Sequence, residues 1–183
     1  PDRTQELYGL KPGLSDDAYD GEHVFMGSAP FFEELARQIP AHTILFDEAL
    51  TNSPPISRYL PGRKAGDKLW TRGGSLGTGF PGAIGIKLAH PDAEVIGISG
   101  DGGSMYTIQT LWTAARHRVA AKFVVCQNRS YRLLQANIKQ FWQERNIDPH
   151  DFPLCFDLSK PEISFEAMAA SMGGKGSPSN SLN

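Results

Sequence analysis

The sequence predicts an α/β protein, a doubly wound and mainly parallel sheet with helices on both faces. Three observations carry the prediction. Short continuous apolar runs such as Val95-Ile96-Gly97-Ile98 alternate with segments of helical period, and strands covered on both faces read as continuous runs rather than as period-two alternation. Polar clusters at 48–53, 73–77, 100–104 and 128–131 each follow a predicted strand directly. In sheets of this kind ligands lie at the carboxyl ends of the strands, near the point where strand order reverses, so the clusters are predicted to converge.

Taken in order, residues 1–27 hold Pro12, Gly13, Gly21 and several acids without periodicity and read as an irregular lead-in or linker. The main domain is placed at 28–173 and a flexible glycine- and serine-rich tail at 174–183. Phe31, Phe32, Leu35, Ala36 and Ile39 predict a helix over 30–39 that Pro40 stops. A strand over 43–47 leads to a polar loop with Glu48, Thr51 and Asn52, then to a proline-rich turn at Pro54 and Pro55. A short strand around 69–71 enters the glycine-rich segment, and Pro81 opens a helix running to Ala89. A strand over 94–99, a helix over 106–117 and a strand over 122–127 follow. Helices over 131–145 and 164–172 end the pattern. Trp112, Phe141 and Trp142 are expected to pack.

The 183 residues suffice for one domain with a substantial core. Hydrophobic content of 40%, charged content of 21% and a net charge of −2 are ordinary, and give no reason to expect nucleic acid or an anionic membrane as partner. No apolar run approaches the roughly 20 residues needed to span a bilayer, and the first residues are neither basic nor apolar enough for a signal peptide. The expected location is cytoplasmic. Cys126 and Cys155 make neither a disulfide framework nor a metal cluster, and His23, His42, His90, His117 and His150 show no metal-ligand spacing. No catalytic residue is assigned. The chain starts at Pro1 and is expected to be a fragment.

The most specific signal is Gly100-Asp101-Gly102-Gly103-Ser104, placed after an apolar strand and answered 27 residues beyond Asp101 by Asn128. Glycines let backbone approach phosphate oxygens closely. A carboxylate there repels a phosphate unless a hard cation such as Mg²⁺ lies between, and the amide oxygen of Asn128 suits its shell. A helix-capping Asp and a turn Asn would explain each residue singly; the spacing and flanking strands, together with the family resemblance carried by the matched context, favour the metal.

The stretch from Gly100 to Asn128 resembles the GDG…N signature of thiamine diphosphate (ThDP) enzymes, in the benzoylformate decarboxylase-like branch of the decarboxylase and acetolactate synthase superfamily. Upstream, GGSLGTGFPGAIGIKLAHPDAEVIGISGDGG is similar to the glycine-rich segment and helix that precede the signature. Downstream, NRSYRLLQANIKQFW is similar to the loop and helix that close over the cofactor and contain Tyr131. A second asparagine usually precedes the metal-binding one; here it is Gln127.

The resemblance implies the ThDP-binding fold and two cofactors, ThDP and Mg²⁺. Asp101, Asn128 and the backbone carbonyl of Ser130 would hold the metal. Gly100, Gly102, Gly103, Ser104, Thr51 and Asn52 would meet the diphosphate. Leu76 would bend the cofactor into a V, with Gly74 and Ser75 beside the pyrimidine; an ordinary core leucine is the alternative. Leu133, Leu134 and Asn137 would reach the substrate, and an apolar pair there suits an aromatic or branched 2-oxo acid; plain packing is again the alternative. In the family the glutamate that activates the pyrimidine comes from another domain, normally of a neighbouring subunit. No residue here matches it, so the chain alone is expected to show no appreciable turnover, and its partners are expected to be other domains or subunits in a homodimer or homotetramer. The implied function is the ThDP- and Mg²⁺-binding domain of a 2-oxo acid decarboxylase or carboligase. Alternatives are an acetolactate synthase-type carboligase, a non-catalytic diphosphate or nucleotide module, and an assembly domain.

Overall fold

The computed structural model describes residues 6–10 and 28–179. Six strands, β1 (Glu6–Leu10), β2 (Ile44–Glu48), β3 (Lys68–Trp70), β4 (Val95–Gly100), β5 (Lys122–Cys126) and β6 (Lys175–Ser179), form one sheet in the order β3-β2-β4-β5-β1-β6. Every pairing is parallel. Seven helices connect or flank them: α1 (Ala29–Gln38), α2 (Ser53–Tyr59), α3 (Gly79–Ala89), α4 (Asp101–Met105), α5 (Thr110–Arg116), α6 (Arg132–Glu144) and α7 (Phe165–Ser171). The predicted fold class is the observed one. Among the described residues no helix is long and apolar enough to cross a membrane.

Alternation along β4 and β5 divides the core in two. Val95, Phe123 and Val125 face one side, with Phe80 and Ala83 of α3, Leu111 of α5 and Phe165 of α7. Ile96, Ile98, Val124 and Cys126 face the other, with Phe32 of α1 and Ile56 of α2. Both faces are therefore covered, as the continuous apolar runs require. Helix α3 approaches the sheet closely at Gly97, where a Cβ would come within 2.8 Å of the Ala83 Cβ and 3.1 Å of the Gly79 carbonyl. Strand β2 leads into α2 on one face while its neighbour β4 leads towards α5 on the other. The switch point, with its crevice, therefore lies between β2 and β4.

Several expectations are corrected. Pro54 and Pro55 do not form an open turn: they occupy the first turn of α2, where the missing amide hydrogens have no intrahelical partner to lose. The helix expected over 106–117 is shorter, α5 beginning only at Thr110, and a separate short helix, α4, precedes it over Asp101–Met105. The turn between them docks on the glycine-rich loop, the Thr107 hydroxyl donating to the Gly77 carbonyl at 2.7 Å. The lead-in contributes β1, paired on both edges, in register with Lys122 and Lys175 at Glu6; the rest of 1–27 lies outside the described residues. Strand β6 occupies part of the expected flexible tail. As an edge strand it tolerates Pro178, and Gly176 lets it approach α7, a Cβ there falling 2.7 Å from the Glu166 Cα. Residues 180–183 lie outside the described residues. Trp142 packs as expected, stacked on Phe152. Trp112 and Phe141 do not; they are 54% and 49% exposed and lie under Arg116 and Arg145 respectively.

Candidate cofactor site

The loops after β2, β3, β4 and β5 meet around one cleft of about 410 Å³ at the carboxyl ends of the strands. Each of the four predicted clusters contributes to it. Thr51 and Asn52 come from the first, Leu76 from the second, Gly100, Asp101, Gly102 and Gly103 from the third, and Asn128, Ser130 and Tyr131 from the fourth. Leu133 and Leu134 of α6 line it as well, each partly exposed.

Four predicted residues stand outside its lining. Ser104 is buried and its hydroxyl donates to the Gly100 carbonyl at 2.7 Å, so helix formation has taken the group expected for phosphate. Gly74 and Ser75 are exposed in the loop after β3, and Asn137 is exposed a turn beyond Leu133 and Leu134. Conversely, the cleft uses residues for which the sequence offered little. Leu50 adopts a left-handed conformation at φ 51°, and Tyr106 follows α4 directly. Cys155 and Phe156 come from a distant segment that is zipped to the Asn128 loop. The Tyr131 amide donates to the Phe156 carbonyl at 2.9 Å and the Leu158 amide to the Arg129 carbonyl at 2.8 Å. No local pattern marks that pairing.

Asp101 is 3% exposed. Its carboxylate accepts from the Gly102 amide at 2.9 Å and from the Arg129 amide at 2.6 Å. Arg129 has φ 59°, so the turn presenting that amide is held in a region most side chains avoid. Burial nevertheless holds the Asp101 carboxyl above the ordinary aspartate range, the backbone donors offsetting it only partly. Asn128 Oδ1 accepts from the Ser130 amide at 3.0 Å, closing a tight turn. Gly102 is small for a reason the sequence did not expose: a Cβ there would lie 2.5 Å from the Tyr131 ring. Gly100 does face open space.

This donor set fits a hard cation bridging to a diphosphate. It offers a carboxylate and an amide oxygen, each with lone pairs left after its backbone contacts, and a glycine turn alongside. Among the described residues no group of three His, Cys, Asp or Glu side chains is arranged to hold a metal; the oxygens offered here are those of one carboxylate, one side-chain amide and backbone carbonyls.

Glu48, at the end of β2, is 1% exposed and accepts from the amides of Gly77 and Gly79 with its two oxygens. Burial raises its carboxyl above the ordinary glutamate range, against the pull of these donors.

Comparison with known proteins agrees with this geometry. The chain is 32% identical over 142 residues to benzoylformate decarboxylase of Pseudomonas aeruginosa, covering 78% of this chain and 25% of that protein. It is 32% identical over 121 residues to the acetolactate synthase large subunit of Lactococcus lactis, covering 66% and 20%. The structure superimposes on the thiamine diphosphate-dependent 4-hydroxybenzoylformate decarboxylase of Rhodococcus jostii with a TM-score of 0.68 at 27% identity, covering 81% of this chain and 27% of that one. The chain thus spans about a quarter of the length of such relatives. Residues 55–181 match the family model described as thiamine pyrophosphate enzyme, C-terminal TPP binding domain, and the chain belongs to that family.

Proposed function

We propose that the chain is the ThDP- and Mg²⁺-holding half of the active site of a non-oxidative 2-oxo acid decarboxylase or carboligase, most like benzoylformate decarboxylase. The observation that carries this reading is the convergence of the Asp101 carboxylate, the Asn128 amide and the Leu76 side chain on one cleft at the switch point. Asp101, Asn128 and the Ser130 carbonyl would hold Mg²⁺. Gly100 and the turn beyond it would take the diphosphate, and Leu76 would support the ring system from the opposite loop. Bound ThDP supplies the electron sink that decarboxylation of a 2-oxo acid needs. This chain's residues contribute binding, orientation and exclusion of water. Leu133 and Leu134 at the cleft favour an aromatic or branched 2-oxo acid over a strongly anionic one. An acetolactate synthase-type carboligase is the second reading, favoured by relatives of that kind at equal identity; the product spectrum of the full-length protein separates the two.

The test is calorimetric titration of ThDP into the chain with Mg²⁺ and with EDTA. Binding is expected to require the metal, and Asp101→Ala is expected to weaken it by more than about tenfold. Metal-independent binding that Asp101→Ala leaves intact would overturn the metal assignment.

A further inference from the structure

We infer that Glu48 is a positioning residue for the glycine-rich loop that carries Leu76, fixing where that loop stands against the phosphate turn; the inference rests on the cofactor reading above. The first part of the loop is held by local hydrogen bonds, from Thr71 to the Ser75 carbonyl and from the Ser75 amide to the Arg72 carbonyl, and its far end at Gly77 is buried. Gly73, Gly74 and Gly77 all take positive φ, at 63°, 68° and 81°, and a Cβ added at Gly73 or Gly74 would meet nothing within 4 Å. Side-chain packing therefore does not define the path at Gly73 and Gly74, while at Gly77 a Cβ would lie 2.6 Å from the Tyr106 Cβ, so polar contacts and the close approach at Gly77 fix the loop between them. Glu48 supplies two of them, one on each side of Thr78, through the Gly77 and Gly79 amides. The Thr107 hydroxyl supplies another, on the Gly77 carbonyl at 2.7 Å.

Glu48 is unusual in its setting. Among the described residues no basic side chain pairs with it, although it is 1% exposed. Burying an unpaired carboxylate is costly, so the two amide contacts must be answering a geometric need that a neutral side chain does not meet. A carboxylate accepts two neighbouring N–H groups with two equivalent oxygens. The same group also borders the phosphate turn: a Cβ at Gly103 would lie 3.1 Å from Glu48 Oε1 and 2.9 Å from Ser99 Oγ. One side chain at the end of β2 thus bonds the amides at the end of the glycine-rich loop and borders the turn after β4. A plain helix-capping role at the start of α3 would explain the Gly79 contact, but not this placement between the two turns.

Glu48→Gln keeps the shape and replaces one acceptor by a donor that faces an amide hydrogen. Titrating the chain with ThDP and, separately, with inorganic pyrophosphate, both with Mg²⁺, separates positioning from folding. The expected result is a loss of ThDP affinity of about tenfold or more, with pyrophosphate affinity close to that of the wild type, because the displaced loop faces the ring system and not the diphosphate. Equal affinities in variant and wild type overturn the inference and leave the cofactor reading standing. Equal loss of both ligands also overturns it, by showing that Glu48 serves the fold as a whole. Should Glu48→Gln fail to fold, Glu48→Asp, which keeps the charge but withdraws it by one methylene, is expected to give the same ThDP-selective loss; failure of both to fold assigns Glu48 to stability alone. A wild-type chain that binds neither ligand removes the cofactor reading, and the inference falls with it.

Discussion

Asp101 and Glu48 sit at the ends of adjacent strands, and both carry carboxyl groups that burial pushes above their ordinary range. The pH dependence expected of Glu48 follows from the sign of that shift. The folded chain binds its proton more tightly than the unfolded chain does, so the stability it contributes is fully present below the ordinary glutamate value and is lost as pH rises through the folded value. The difference in Tm between wild type and Glu48→Gln should therefore be most favourable to the wild type near pH 4, about the ordinary glutamate value, and should shrink towards neutrality. A gap that widens with pH would mean that the amide donors outweigh burial. Leu76 allows a sharper test of ring recognition. Truncation to Ala removes about 2 kcal/mol of apolar contact, so ThDP affinity should fall about thirtyfold while pyrophosphate affinity is unchanged. The two thiols report on the cleft independently. Cys126 is buried, and burial pushes its thiol well above the ordinary range, whereas Cys155 is exposed and borders the cleft. One thiol per native chain should react with an aromatic disulfide reagent, and saturating ThDP with Mg²⁺ should slow it; two fast thiols, or none, would contradict this geometry.

Elements differ in how far the sequence foretold them, and the difference has physical causes. The strands β4 and β5 and the helix α6 were legible because long apolar runs or a clear helical period mark them, and their observed bounds fall within one residue of those expected. The Asp101 and Asn128 cleft was legible because acidic glycine turns after apolar strands answer a specific chemical need. Others were not legible. Pro54 and Pro55 read as a turn because proline is compatible with both a turn and a first helical turn, and the choice is made by packing of Ile56 against Phe32 and Leu45 in the core. The break at 106–109 is decided by Thr107 meeting the distant Gly77 carbonyl, and the Cys155 and Phe156 wall by backbone contacts to Arg129 and Tyr131. None of these contacts leaves a local trace. How tightly elements meet can be tested at Gly97, which lies beneath α3. Gly97→Ala places a methyl 2.8 Å from the Ala83 Cβ and 3.1 Å from the Gly79 carbonyl, so α3 must move off β4. Such overpacking costs about 1–3 kcal/mol. Because Gly79 is also a Glu48 contact, the variant should lose ThDP affinity along with Tm, and a change in neither would show that α3 is free to slide.

At the scale of the whole molecule the sheet is assembled from both ends of the described chain. Strand β1 is flanked by β5 on one side and β6 on the other, so its five residues pair with segments more than a hundred positions further along the chain. The cofactor cleft does not depend on this half, since it is built from the loops after β2, β3, β4 and β5. Removing residues 1–27 should therefore separate two properties that the intact chain joins. Strand β5, an apolar Lys122–Cys126 segment, would become the edge of the sheet, and an unpaired apolar edge is a template for pairing with another chain. The truncated protein is expected to unfold at lower temperature and to associate at concentrations where the intact chain does not, as read by thermal scans and by light scattering during size-exclusion chromatography. At concentrations low enough to keep it dispersed, its Mg²⁺-dependent ThDP affinity should stay close to that of the intact chain, because Glu48, Leu76, Asp101 and Asn128 all lie on the retained side. A truncated chain that remains monomeric with an unchanged Tm would show that β1 adds nothing to the sheet; one that folds but no longer binds would show that the far half of the sheet fixes the cleft after all.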